Sequence, residues 1–305
     1  MTYENFIQEL IAHLTLRFSE DTTFHVKRIL KNNNLSLDGL VISDPAVNIS
    51  PTIYLSHFYD DYVGGEPISQ ICDELVACYE QHRLSDSIDI SFFTDFTRVK
   101  NNIIFKLIHT QSNQELLEQI PSIPYYDLSI VFCYYMTFDE NMVAPNDTNA
   151  TILIRNEHLT YWDTTPKQLL ALAMENAPEL LPATVHHLPQ LLTKICESPK
   201  DLGIPLDEIA DQIPLYVLTN NQRFFGAGVL LYKDILAQCV AMLGEQFYMI
   251  PSSIHEVIVL PLSSDYDIEM LNEMVREVNH YHVAVDEVLS DHVYLYDAEK
   301  QAFVF

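Results

Sequence analysis

The chain has 305 residues, 48% of them hydrophobic, which is enough for one large domain or two ordinary domains with an apolar core. Its 43 acidic and 16 basic residues give a formal net charge of −27, which argues against binding to nucleic acids or anionic membranes, because both contacts need Lys and Arg. Only seven glycines are present, and neither Gly64-Gly65 nor Gly226-Ala-Gly228 completes a phosphate-binding loop.

The N-terminal part of the chain predicts a helix, a hairpin and a second helix. Apolar residues recur every three or four positions between Tyr3 and Phe18, which indicates an amphipathic helix. Three asparagines at positions 32–34 separate two β-rich runs and predict a hairpin, because asparagine tolerates the left-handed conformation of tight turns. Pro67 is expected to begin the second helix. Strands are expected at "IDISFF", "NIIFKLI" and "LSIVFCYYMTF".

A polar, aperiodic stretch at residues 139–151 predicts a linker or a long loop. We therefore expect an N-terminal α+β region at 1–145 and a C-terminal α/β region at 146–305, which form two subdomains or a single domain. After the linker, Thr164 or Thr165 is expected to cap a helix that has Pro166 at its first position. The proline-punctuated stretch that follows is expected to be helical.

The C-terminal part of the chain predicts strands on both sides of a turn at Pro251-Ser252-Ser253. A helix is expected from about Ile268 to Asn279, and a hairpin closes the chain. Strands that alternate with helices, with hairpins between them, predict an α+β or mixed α/β fold with mixed sheets and packed helices.

The cysteines indicate the compartment. They are odd in number and form no Cys-x-x-Cys pair, so we expect them to be buried free thiols: Cys72, Cys78, Cys133, Cys196 and Cys239. The first residues lack the basic and apolar segments of a signal peptide, and the longest apolar run is shorter than the ~20 residues that cross a bilayer. We therefore expect a cytoplasmic protein with no membrane partner.

The stretch "YMIPSSIHEVIVLP" holds the candidate catalytic residues His255, Glu256 and Ser253. A zinc protease needs a second histidine four positions after the first, on a helix, but Val259 stands there and the surrounding pattern is β. Adjacent residues on a strand point to opposite faces, so His255 and Glu256 are not expected to share a substrate. Ser253 has no GxSxG setting, and neighbours two apart on one strand rarely form a nucleophile and its base. We favour a structural corner, with His255 still a candidate for catalysis.

Two weaker patterns concern ligand binding. His280 and His282 would present two imidazoles on one face of an extended chain and form a divalent-metal site, although a polar helix end is the simpler interpretation. Arg155 and Arg223 stand out because bases are scarce, and each could clamp an anionic ligand or pair with one of the many carboxylates. No cofactor motif is complete, so no cofactor is expected.

The predicted helix near residues 267–279 has an acidic side and an apolar side. Glu269, Glu273 and Glu277 recur every four residues and form one negative ridge, ~12 Å long at ~1.5 Å per residue. Like charges at this spacing weaken an isolated helix, so packing or a basic partner must compensate. The apolar residues are expected in the core: Met270, Leu271, Met274, Val275 and Val278.

Four segments carry a family resemblance: "YLSHFYDDYVGG", "TYWDTTPKQLLALAMENAP", "GAGVLLY" and "PSSIHEV". They resemble a family of bacterial proteins known only as a domain of unknown function, and the C-terminal "PSSIHEV" is the most specific of them. The resemblance covers most of the chain and implies a bacterial, cytosolic protein. It supplies no activity, substrate or catalytic residue.

These observations favour a non-enzymatic cytoplasmic binding or regulatory protein whose acidic surface binds a basic protein partner. The first alternative is a hydrolase or metal-dependent enzyme that uses His255 and Glu256. The second is an acidic mimic of nucleic acid whose carboxylates occupy the groove of a DNA-binding partner.

Overall fold

A computed structural model of the protein describes residues 2–45, 50–83, 90–136, 150–187, 214–263 and 267–304. These residues form helices and antiparallel sheets, which confirms the predicted α+β class. Contacts between residues in space divide the chain into two compact units. The first contains the described parts of Met1–Lys31, Leu35–Phe93 and Thr137–Ala150, and the second contains those of Asn32–Asn34, Thr94–Met136 and Thr151–Phe305.

The first unit is a three-stranded sheet with helices on an apolar core. Its elements are α1 (Tyr3–Thr15), β1 (Thr23–Leu30), β2 (Ser36–Ser43), β3 (Thr52–Tyr54), α2 (Ser56–Val63) and α3 (Ile68–His82). The strands pair antiparallel in the order β1-β2-β3. Phe6 and Leu10 of α1 are fully buried with Ile71 and Leu75 of α3, as the helical spacing of their apolar residues predicts.

The second unit contains two sheets. Its elements are α4 (Phe96–Val99), β4 (Ile103–His109), α5 (Gln114–Leu117), β5 (Ser122–Tyr125), β6 (Leu128–Met136), β7 (Ala150–Leu153), α6 (Asn156–Trp162), α7 (Pro166–Leu180), β8 (Ala183–His187), β9 (Tyr216–Asn220), α8 (Ile235–Leu243), β10 (Gln246–Ser253), β11 (Glu256–Pro261), α9 (Ile268–His282), β12 (Tyr294–Asp297) and β13 (Ala302–Val304). The larger sheet has the order β13-β12-β10-β11-β9-β8, and the smaller sheet gathers β4, β5 and β7 around β6.

Local sequence signals account for several element boundaries. Asn33 and Asn34 adopt φ of 57° and 54°, which confirms the expected left-handed turn between β1 and β2. The Thr165 hydroxyl accepts from the Gln168 N–H at 3.4 Å, and the Gln168 side chain accepts from the Thr165 N–H at 2.9 Å. This reciprocal cap precedes Pro166, which lacks the donor that a first helical position leaves unpaired.

Two expectations about secondary structure are wrong, and one helix was not predicted. Ile90–Thr94, within "IDISFF", forms a 3-10 turn rather than a strand. The part of the stretch after α7 that the structure describes is not helical, because Ala183–His187 pairs with β9 as strand β8. Helix α6 was not expected at all. Short apolar runs fit either conformation, and pairing with distant strands decides between them. Most of the linker expected at 139–151 lies outside the described residues.

None of the helices formed by the described residues combines the length and the apolar composition that crossing a bilayer requires.

Candidate functional site

The turn that carries His255 lies two residues later than expected. Ser253 pairs with Glu256 across the β10–β11 ladder, so Ile254 and His255 form the turn. The expected Pro-Ser-Ser turn is wrong, because Pro251–Ser253 continues β10. The register shifts between Pro251 and Ser253, and such an irregularity tolerates a proline, which has no N–H to give to the ladder.

A strained loop, residues 221–225, follows β9 and approaches this turn. The buried side chain of Asn220 organises the loop: its oxygen accepts from the N–H groups of Gln222 and Phe224 at 3.1 and 3.2 Å, and its nitrogen donates to the Phe224 carbonyl at 2.7 Å. Arg223 and Phe225 both have positive φ, of 51° and 53°. Each such non-glycine residue costs about 1–3 kcal/mol, so the surrounding contacts must hold the loop in place.

Close backbone contacts fix the loop to the His255 turn. The Thr219 hydroxyl donates to the His255 carbonyl at 2.8 Å, and the Ala227 N–H donates to the Ile254 carbonyl at 3.2 Å. A β-carbon on Gly226 would collide with the Thr219 hydroxyl and the His255 carbonyl. Position 226 therefore requires glycine for space rather than for an unusual φ.

The His255 imidazole has a polar neighbour at each ring nitrogen. Its Nδ1 accepts from the Phe225 N–H at 3.2 Å, and its Nε2 lies 3.6 Å from Glu287 Oε1. An Nδ1 that accepts carries no proton, so the neutral ring has its proton on Nε2, facing the carboxylate. Lys106 Nζ lies 4.6 Å from the centre of the Phe225 ring, which in turn stacks at 14° to the imidazole. Burial lowers the pKa of His255; Glu287 opposes this shift and Lys106 adds to it.

The candidate catalytic residues do not form a nucleophile–base pair. The Ser253 hydroxyl accepts from the backbone N–H of His255 at 3.0 Å, and the Ser252 hydroxyl donates to Glu256 Oε1 at 3.2 Å. Both serines therefore serve the hairpin rather than the imidazole. The carboxylate that faces the ring is Glu287, which follows α9, and nothing in the spacing of the sequence pointed to it.

The two arginines lie in different settings. Arg155 precedes α6, and its guanidinium donates to the Gln119 side chain at 3.0 Å. Arg223 is exposed in the strained loop, and its backbone acts to raise the pKa of His255, but burial outweighs this effect and the pKa is lowered. Among the residues that the structure describes, the Arg223 guanidinium has no carboxylate partner.

The two histidines proposed for metal binding do not share a face. His280 and His282 both lie on α9, where residues two apart diverge by roughly 200°. The single group with metal-ligand spacing in the described ranges is Asp61, Glu66 and Glu74. Partly exposed acidic clusters of this kind are common without an ion, so it carries no functional argument.

Helix α9 buries a narrower stripe than its sequence predicts. Leu271 and Val275 are 4% and 3% exposed and pack on the larger sheet. Met270, Met274 and Val278 are 50%, 44% and 41% exposed, so the expectation that they lie in the core is wrong. An α-helix turns by about 100° per residue, and the sheet covers only the stripe that Leu271 and Val275 fill.

Four half-exposed or exposed residues of α9 form a continuous surface, which we call the apolar ridge: Met270, Met274, Val278 and Tyr281. Their spacing of four, four and three residues keeps them on one side of the helix over roughly 17 Å. Val285 continues this apolar exposure just beyond the helix. Apolar surface of this length on one exposed helix side is typical of a contact with another protein.

The acidic ridge of α9 consists of Glu269, Glu273 and Glu277, each one position before a member of the apolar ridge. Arg276 donates to Glu269 at 3.2 Å. Throughout the described part of the chain, Glu273 and Glu277 have no ion-pair partner. The exposed side of α9 therefore combines apolar contact area with uncompensated negative charge.

Comparison with protein families identifies the chain. A profile described as a family of unknown function, DUF5688, matches residues 3–298. The chain belongs to the DUF5688 family. Searches of curated proteins and of solved structures found no match.

This DUF5688 protein also contains a charged cluster that sequence reasoning missed. Asp127 accepts from the Tyr294 hydroxyl and from His292 Nε2, both at 2.9 Å, and lies 3.8 Å from His109 Nε2. His292 Nδ1 donates to the Val293 carbonyl at 3.1 Å, so both ring nitrogens donate and the imidazolium is favoured.

The electrostatics of this cluster are those of an ion pair. The hydrogen bond to Asp127 raises the pKa of His292. Burial acts to raise the pKa of Asp127, but the hydrogen bonds from His292 and Tyr294 outweigh it and hold that pKa below its usual value. An imidazolium that donates from both nitrogens has no lone pair to act as a base. In this DUF5688 protein the cluster therefore ties the β5–β6 turn to β12.

Proposed function

We propose that this protein is a non-enzymatic, cytoplasmic bacterial protein that binds a basic amphipathic helix of a partner protein along α9. The observation that carries the proposal is the apolar ridge, exposed beside an acidic ridge in which two glutamates lack a cationic partner among the described residues. The free thiols of Cys72, Cys78, Cys133 and Cys239 support a reducing compartment.

The apolar ridge supplies the contact energy. Complete burial of a methionine or valine side chain contributes about 1.5–3 kcal/mol, so covering the exposed half of one member adds about 1 kcal/mol. Removing that contribution raises the dissociation constant roughly fivefold. Four members along one side of a helix match the anchor spacing that a second helix presents when it lies alongside.

The acidic ridge determines how the partner helix is oriented and requires that it carry positive charge. A helix lying on the apolar ridge would place its solvent-facing flank beside Glu273 and Glu277, where Lys or Arg can pair with them. Charges at the rim of an interface act mainly on the association rate and on its dependence on salt. A basic partner is therefore expected to bind more weakly as the ionic strength rises.

The two alternative functions have less support. The Nδ1 lone pair of His255 is occupied by a backbone N–H, and the hydroxyls of Ser252 and Ser253 bond elsewhere, so neither serine offers the ring a nucleophile to activate. Mimicry of nucleic acid would require carboxylates spaced like phosphates. The acidic ridge has an apolar ridge alongside it, and a phosphate backbone has no such stripe.

The proposal is tested by selecting a displayed library of helical peptides against the purified protein. We expect the enriched peptides to carry apolar residues at helical spacing with Lys or Arg on the flank. Their affinity should fall about fivefold to thirtyfold in the Met270→Gln/Met274→Gln variant, because one or two half-buried apolar side chains no longer cover the peptide. The affinity of the wild type for these peptides should fall as the salt concentration rises, and that of the Glu273→Gln/Glu277→Gln variant should fall less steeply.

Matched control variants lie on α7 and at the end of α1. Glu175→Gln/Glu179→Gln removes two exposed glutamates four residues apart on another helix, and Leu16→Gln removes an apolar side chain that is largely exposed. Neither variant should change peptide affinity. Enrichment of acidic or patternless peptides, or equal losses in the α9 and control variants, would contradict the proposal.

A further inference from the structure

We propose that His255 is a pH-sensitive latch on the loop at residues 221–225: the neutral ring holds the loop closed by accepting the Phe225 N–H, and protonation of the ring releases it. This device is separate from the proposed partner-binding surface on α9 and does not depend on it.

The latch is built on a hydrogen bond that only one protonation state permits. Nδ1 of the neutral ring offers a lone pair to the Phe225 N–H, 3.2 Å away. A protonated ring carries hydrogen on both nitrogens, so its Nδ1–H would oppose the Phe225 N–H. The acid form can donate instead to the backbone carbonyl of Arg223, an interaction that favours the protonated ring. Acidification therefore exchanges an accepted bond for a donated one.

The loop is poised to move when that bond is lost. Phe225 has a φ of 53° and Arg223 a φ of 51°, a conformation that non-glycine residues adopt only when their surroundings impose it. The bond from Phe225 to His255 is one of the contacts that impose it. Asn220 holds Gln222 and Phe224 independently of the ring, so release is expected to be local to the end of the loop.

Charged groups from each neighbouring element act on the ring. Glu287 from the turn Val285–Glu287 and Glu256 from β11 favour the protonated form, and Lys106 from β4 opposes it. Burial is the largest influence, opposes protonation and lowers the pKa of His255. A base whose pKa is lower in the folded state stabilises the closed loop at neutral pH and ceases to do so as the pH falls. The latch is therefore closed at neutral pH and opens on acidification.

Release also frees an aromatic surface. The Phe225 ring contacts the Lys106 ammonium and stacks with the imidazole, and Phe224 packs on it with ring centres 3.9 Å apart. Movement of Phe225 would separate Lys106 from its aromatic contact. Opening should therefore expose the Phe225 ring and the side of Phe224 that packs on it, while the Phe224 backbone stays bonded to Asn220.

Hydrogen exchange of the full-length protein tests the latch. Backbone protection of residues 221–226 is measured from pH 7.5 to pH 5, corrected for intrinsic exchange rates. If opening requires protonation, protection should fall by up to about tenfold per pH unit between the ordinary histidine pKa and the lower pKa of His255 in the closed loop, and should level off below the latter. The His255→Asn variant keeps a side-chain oxygen that can accept the Phe225 N–H but does not titrate, so its protection should not change with pH. Residues 256–261 of β11 serve as an internal reference.

A nuclear magnetic resonance titration of the wild type decides the question if the variant does not fold. The His255 ring should titrate below the ordinary histidine pKa, and the Phe225 amide signal should shift with the same midpoint as the His255 ring. Protection that stays constant with pH in the wild type, or falls equally in His255→Asn, would overturn the latch. So would a Phe225 amide that does not follow the ring.

Discussion

Alanine substitutions at two methionines test how α9 is oriented on the larger sheet. Met249 of β10 is 1% exposed, whereas Met274 of α9 is 44% exposed. Truncating a buried methionine costs about 2–5 kcal/mol of unfolding free energy, because it removes burial and leaves a cavity. Met274 has only about half its side chain covered, and water can fill the space, so Met274→Ala should cost about 1 kcal/mol. Leu271→Ala, three positions earlier on α9, should behave like Met249→Ala.

Urea unfolding measures these costs in the unit that contains α9. The chain has one tryptophan, Trp162, which is buried and lies in the second unit, as do the three substituted positions. Its fluorescence should give midpoints that fall much further for Met249→Ala and Leu271→Ala than for Met274→Ala, with unchanged slopes. Equal losses for Met274→Ala and Met249→Ala would mean that the methionine side of α9 packs in the core, and the apolar ridge would not exist.

Two further predictions concern the His255 turn and the Asp127 cluster. Gly226→Ala should destabilise the protein by at least about 1–3 kcal/mol, because the new β-carbon meets Thr219 and the His255 carbonyl; thermal unfolding measures this, and an unchanged melting temperature would refute the close approach. Asp127→Asn should cost about 1–2 kcal/mol near pH 5–6, where Asp127 is ionised and His292 protonated. Because the pKa of His292 is raised by folding, its contribution to stability is lost as the pH rises through the pKa of His292 in the folded protein. Because the pKa of Asp127 is lowered by folding, its contribution is lost as the pH falls through the pKa of Asp127 in the folded protein. The cost should therefore shrink toward pH 9 and toward pH 2, and a pH-independent cost would contradict the ion pair.

The sequence predicted elements whose signals are local. The asparagines at 32–34, the Thr165 cap and the apolar spacing of α1 each act within a few residues, and the structure has a turn, a cap and a buried stripe there. The α+β class followed from the order of these elements.

Contacts between distant residues were beyond such reasoning. His255 meets Phe225 across 30 residues, and Asp127 meets His292 across 165, so no spacing in the sequence links them. The position of the His255 turn depended on the register of β10 with β11, which adjacent proline and serines did not reveal. Met274 was misassigned because an apolar pattern gives the side of a helix but not how much of it a sheet covers.

Methionine methyl spectra test the central claim, that α9 binds a basic amphipathic helix. The protein is labelled at its methionine methyl groups and titrated with the enriched basic peptide. We expect the signals of Met270 and Met274 to shift together and saturably, while those of Met174 and Met242, which are also partly exposed, and of the buried Met249 stay in place. Shifts at Met174 or Met242 without shifts at Met270 and Met274 would contradict the claim, as would a bound peptide that moves none of these signals.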